Sequence, residues 1–132
     1  MWRDVLWISL GAVVGANARF LVSRLALKHI SASVPYGTLI VNVSGSFVLG
    51  FFLAWTSERV LADPHWRPLV AVGFCGAYTT FSSYSYETFA MLEQGHYALA
   101  GANFLVNNLF CLLAILAGVV LATWRSGVTP VP

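Results

Sequence analysis

The stretch GFCGAYTTFSSYSYE, from Gly73 to Glu87, decides how this chain is read, because it lies in an apolar run and changes character halfway along. Gly73 and Gly76 flank Cys75 in what otherwise resembles a buried helix, and from Tyr78 to Tyr86 every residue except Phe81 carries a hydroxyl. In hydrocarbon every backbone N–H and C=O has to be satisfied within the protein, and irregular backbone survives only where it is buried or lines a cavity. Two readings follow. Either the hydroxyls return their hydrogen bonds to an unbroken helix, or the helix breaks at mid-membrane and its freed carbonyls and half-helix ends hold an ion.

The surroundings of this stretch indicate a bilayer. The chain has 132 residues, 58% of them hydrophobic and 9% charged, too few charges to cover the surface of a soluble domain of this size. A formal charge of +2, with no run of Lys and Arg, excludes a nucleic-acid footprint. Cys75 and Cys111 both fall inside apolar segments, without CxxC spacing or a neighbouring His, and read as small buried side chains. His29, His65 and His96 sit at segment ends or in connections and are assigned no role.

Four segments, near 5–27, 36–56, 68–92 and 97–124, are long enough to cross a hydrocarbon core of ~30 Å, which takes roughly 20 helical residues. Pro35 and Pro68 mark helix starts, where a missing N–H costs nothing. Asp63-Pro64 and Gly95-His96 mark connections, and residues 127–132, with two prolines and no charge, read as a disordered tail. Residues 1–126 thus form a single four-helix transmembrane domain. Val5 to Val14 followed by Ala16-Asn17-Ala18 imitates a secretory leader, but Asp4 cancels its basic end, and Arg19, Arg24 and Lys28 suit a helix whose far end snorkels to the interface. With an even number of spans, Arg3, Arg59, Arg67 and Arg125 share one side and Arg24 and Lys28 mark the other. That weak bias permits insertion both ways, and with it an antiparallel homodimer.

Polar residues on other segments repeat at helical spacing: Thr38, Asn42 and Gly45 or Ser46 on the second, Asn103, Asn107 and Cys111 on the fourth. Neutral amide and hydroxyl donors replace water around a small anion without trapping it as a fixed positive charge would; the same groups also serve as interhelical hydrogen bonds. Phe81 and Tyr84 share a helix face, and their positive ring edges suit an anion path as well as ordinary core packing. Gly11 with Gly15, and Ser46 with Gly50, are small-residue pairs that allow close helix approach. Arg19 lies about eight residues from the end of its segment, roughly 12 Å of helix, where it either snorkels or faces an aqueous vestibule. Glu87 either marks the mouth of a solvated cavity or pairs with a base.

GAVVGANARF at Gly11, YGTLIVNVSGSFVLGF at Tyr36 and GFCGAYTTFSSYSYE at Gly73 together resemble the motifs of the Fluc (CrcB) family of fluoride channels. The resemblance implies an all-α integral membrane protein with four transmembrane helices, the third broken at mid-membrane. It also implies an antiparallel, dual-topology homodimer with two fluoride pores and a structural sodium ion at its centre. Carried over by position, it implies that the backbone carbonyls of Gly76 and Thr79 bind the sodium. It also implies that Asn42, Phe81, Ser82, Ser83 and Tyr84 line the fluoride pore; Asn107, from the polar stripe of the fourth segment, is placed in the same pore, and Arg19 and Glu87 are given vestibule or structural roles. On this basis Gly76 to Thr79 is expected to be the backbone break and Phe81 to Ser85 the anion-facing surface. The chain departs from the family pattern in having Tyr84 for a second Phe and Ala77 for a usual Gly. Asn103 and Asn107 stand where the family often shows Tyr, Ser or Thr.

The function implied is passive export of fluoride across a bacterial plasma (inner) membrane, protecting the cell from fluoride toxicity, with fluoride, lipid and a second copy of the chain as partners. A small antiporter would need a carboxylate inside its first helix, and this one offers only Asp4 at its mouth. A membrane scaffold subunit has only the small-residue pairs in its favour. An enzyme is disfavoured because no His lies among the hydroxyls and no carboxylate pair is spaced for acid–base work.

Overall fold

Each long uncharged run forms a helix, since only a helix satisfies all its backbone groups within one segment. The computed structural model describes residues 1–30, 34–57 and 65–126. Helix α1 spans Trp2–His29 and α2 spans Tyr36–Ser57. The third segment begins as a π-helical stretch, Arg67–Cys75, and runs into a single α-turn, α3, Gly76–Tyr78. After a break it resumes as α4, Phe81–Glu93, and a glycine turn leads into α5, Tyr97–Ser126. At this turn Gly95 has φ 76°, a left-handed geometry that glycine adopts without penalty. His96 N–H then caps the carbonyl of Met91 at 2.9 Å. Helices α1, α2 and α5 each have the length and composition to cross a membrane. The Asp63-Pro64 connection, Arg59 and the tail 127–132 lie outside the described residues.

Glycines set the packing. A Cβ on Gly11 would run into the carbonyl of Leu69, and one on Gly15 into that of Phe74, so α1 lies backbone to backbone against the π-helical stretch. In the same way Gly50 of α2 meets the Ile115 carbonyl of α5, and Gly118 of α5 meets Phe47 of α2. The small-residue pairs therefore close this chain upon itself, the close approach that membrane helices use in place of a hydrophobic drive. Gly50→Val, which forces a branched side chain against backbone, should lower the thermal midpoint in detergent by roughly 5 °C or more. An unchanged midpoint would mean that the α2–α5 seam is looser than its geometry implies.

The outer surface is apolar. Val13, Phe20, Leu21, Leu105, Leu112 and Leu116 are among the many large side chains more than half exposed, as expected where lipid, and not water, is the neighbour. Buried positions are instead often polar: Thr38, Asn42, Thr80, Asn103 and Asn107 are all at most 9% exposed. This inversion places the polar groups of α2, α4 and α5 in one interior zone around the break.

Candidate functional site

The break falls one to three residues later than the sequence suggests. Gly76 has φ −65° and ψ −31° and remains helical, whereas Thr79 (φ −79°, ψ 159°) and Thr80 (φ −150°, ψ 113°) are extended. The expectation that Gly76 to Thr79 forms the break is therefore corrected to Thr79–Thr80. The reason is local. Thr79 Oγ1 and N–H both bond back to the Cys75 carbonyl, at 2.9 and 3.0 Å, closing the first half-helix. Thr80 Oγ1 accepts from the Ser83 N–H at 3.1 Å, a threonine N-cap opening the second.

Asn42 bridges the gap. Its Oδ1 accepts from Thr80 N–H at 2.7 Å and its Nδ2 donates to the Thr80 carbonyl at 3.1 Å. The side-chain amide thus replaces both helical partners that Thr80 has lost. The bridge continues along α5: Asn42 Nδ2 donates to Asn107 Oδ1 at 3.4 Å and Asn107 Nδ2 to Asn103 Oδ1 at 3.0 Å. Asn103 Nδ2 then reaches Thr88 Oγ1 at 2.8 Å. The two polar stripes read from the sequence meet here as one buried network, which fixes side-chain positions more firmly than isolated bonds would.

Two cavities adjoin the break. One, of about 320 Å³, is lined by Asn42, Thr79, Thr80, Phe81, Tyr84 and Asn107, with Asn108 and Cys111 also on its wall. The rings of Phe81 and Tyr84 stand 5.4 Å apart and tilted by 59°. The second cavity, of about 400 Å³, brings together Arg19, Thr38, Ser83 and Glu87 and again includes Thr80. Thr80 lines both cavities and so separates them. Arg19 turns toward the break: its Nη1 donates to the Thr79 carbonyl at 3.4 Å, which puts a positive charge beside the second cavity. Glu87 Oε1 accepts from Thr38 Oγ1 at 2.6 Å, while Oε2 is buried without a partner among the described residues.

Of the expected pore residues, Asn42, Phe81, Tyr84 and Asn107 share the first cavity and Ser83 lies in the second. Ser82 lines neither cavity; it is exposed, with Oγ 3.3 Å from Thr80 Oγ1. Sequence reasoning missed Thr80 and Asn108. A hydroxyl residue three before a Ser at a helix start was a readable capping signal for Thr80. Asn108 gave no signal, being one residue off the stripe of Asn103 and Asn107.

No cluster of three His, Cys, Asp or Glu side chains stands among the described residues, so a cation at the break would rest on backbone oxygen. The donors present suit a hard ion of that kind. The Thr80 N–H that would bond the Gly76 carbonyl in a continuing helix goes to Asn42 instead. Gly76 is exposed, and a Cβ there would meet nothing. The Thr79 carbonyl accepts a long contact from Arg19, and a carbonyl oxygen has two lone pairs.

Residues 6–119 match the family model described as CrcB-like protein, Camphor Resistance (CrcB). A protein of Koribacter versatilis named "Fluoride-specific ion channel FluC" is 55% identical over 114 residues, covering 86% of this chain and 90% of that protein. One of the same name from Sulfurihydrogenibium is 46% identical over 117 residues, covering 89% and 94%. A third, from Methylocella silvestris, is 40% identical over 121 residues, covering 90% and 92%. With its glycine seams, broken third segment and buried amide network inside the matched region, the chain belongs to the CrcB-like family.

Proposed function

We propose that this chain is a fluoride-selective channel through which cytoplasmic fluoride leaves the cell passively. The observation that carries the reading is the helix break, held open by Asn42 between two cavities that meet at Thr80. Relatives up to 55% identical bear the name of a fluoride-specific ion channel, which gives the ion. Hydrogen fluoride enters from acid surroundings as a neutral molecule and dissociates in the cytoplasm. The trapped anion then runs down its gradient. The chain acts as a channel and not as an enzyme.

Arg19 draws the anion into one vestibule, and the Ser83 hydroxyl, which accepts from Thr80 Oγ1 at 3.0 Å and so keeps its own proton to give, offers a donor as water is shed. Beyond Thr80, the ring edges of Phe81 and Tyr84 take over, on a wall fixed by Asn42 and Asn107, whose amide protons are already given to Thr80, Asn107 and Asn103. All of these donors are neutral, so fluoride binds strongly enough to enter and weakly enough to leave. The larger chloride fits poorly among donors set for a smaller ion.

The working unit in this reading is an antiparallel homodimer in a bacterial plasma (inner) membrane. Phe81 lines the first cavity yet is 76% exposed in the single chain, a wall that a second copy would complete. Carbonyls of Gly76 and Thr79 from both copies would hold a structural sodium ion, which would tie the two breaks together.

Purified protein in liposomes loaded with fluoride should release it much faster than protein-free liposomes, as read by a fluoride electrode, with chloride released at the background rate. Efflux no faster than from empty liposomes, or chloride following at the same rate, overturns the proposal.

A further inference from the structure

The phenol of Tyr84 differs from a plain ring in having a proton to place, and its neighbours dictate where that proton points. Tyr84 is 5% exposed, and its hydroxyl lies 2.9 Å from Asn108 Nδ2. The same nitrogen donates to the Phe104 carbonyl at 2.7 Å. A carbonyl can only accept, so the amino group and not the oxygen of Asn108 occupies this position. An amide nitrogen has two protons and no lone pair to offer, and both protons are used, one on Phe104 and one on the tyrosine oxygen. The tyrosine hydroxyl is therefore an acceptor toward Asn108 and cannot donate back.

Its own proton is left over, and no acceptor for it stands among the described residues. Tyr84 and Asn108 both line the cavity that also holds Asn42, Phe81 and Asn107. We infer that Asn108 turns the Tyr84 hydroxyl so that its proton serves the passing anion, making Tyr84 an O–H ligand for fluoride and Asn108 its positioning residue. This rests on the fluoride-channel reading and adds to it a donor stronger than a ring edge, supplied by a residue pair on α4 and α5.

Among small anions, fluoride gains most from a short O–H donor, because its charge is the most concentrated. The pair thus favours fluoride over chloride as well as speeding its passage. Asn108 is exposed on α5, so replacing it perturbs the fold little.

The experiment compares fluoride and chloride efflux from liposomes for the unmodified protein, Tyr84→Phe, Asn108→Ala and the double variant, each first checked for unchanged elution on size-exclusion chromatography. Tyr84→Phe keeps the ring and removes only the donor, and is expected to slow fluoride roughly tenfold, the effect of one hydrogen bond to a charged group. Asn108→Ala is expected to slow it severalfold. In the double variant the loss should match Tyr84→Phe alone, because Asn108 acts only through the hydroxyl. Two fully additive losses would assign Asn108 an independent role, and full-speed fluoride in Tyr84→Phe would remove the hydroxyl from the path; either result overturns the inference. Absence of fluoride flux in the unmodified protein would instead sink the channel reading itself. Should Tyr84→Phe fail to elute normally, Asn108→Ala decides alone: undiminished flux in that variant refutes the positioning role.

Discussion

Asn42→Asp is expected to cut fluoride efflux about a thousandfold, to the level of protein-free liposomes, while the protein elutes unchanged. One carboxylate oxygen can still accept from Thr80 N–H, as Oδ1 does now at 2.7 Å. The other replaces a donor that lies 3.1 Å from the Thr80 carbonyl, so an attraction becomes a repulsion between two oxygens. The new charge also stands in the cavity proposed as the anion's path. At about 4 Å and an effective dielectric of about 20, like charges repel by about 4 kcal/mol, or close to three decades in rate. Retained flux would show that the anion does not pass Asn42. Lost flux accompanied by aggregation would show that the clamp holds the fold and not the pathway.

Gly76→Leu is expected to cut efflux at least tenfold, for a different reason. In the single chain a side chain at this position meets nothing within 4 Å, and the backbone is helical, so the substitution should be neutral or favourable to the isolated fold. If a second copy covers this face, a leucine there wedges the two apart. Elution should shift to the size of a single chain and flux should fall at least tenfold. Unchanged elution and flux would place any partner elsewhere. A companion measurement prepares the unmodified protein without sodium throughout: efflux should slow at least tenfold if carbonyls of Gly76 and Thr79 hold a cation that flux requires, and should be unaffected if they do not.

Much of this arrangement was legible in the residues, for physical reasons that differ between its parts. Long uncharged runs can satisfy their backbone in lipid in only one economical way, so α1, α2 and α5 followed from composition and length. The spacing of Asn103 and Asn107, and of Thr38 and Asn42, placed each pair on one face because helical periodicity is a local property. Glycine pairs were readable as close-approach sites, but not which helix would approach. Gly11 and Gly15 take the π-helical stretch, and Gly50 takes α5.

The chain by itself determined that it is helical, that it spans a membrane, and that its polar groups gather on a few faces; an interrupted third segment was one of two readings of its residues, chosen by the family resemblance. The first three depend on solvent and periodicity, which act on each segment separately. Local caps at Thr79 and Thr80 set the ends of the interruption, but only the tertiary structure showed Asn42, 38 residues away in the chain, capturing the Thr80 amide and holding the gap open. It alone placed Arg19 at the Thr79 carbonyl and Asn108 on the Tyr84 hydroxyl. Hydrogen bonds between distant helices depend on which faces pack together, and no window of sequence contains that information.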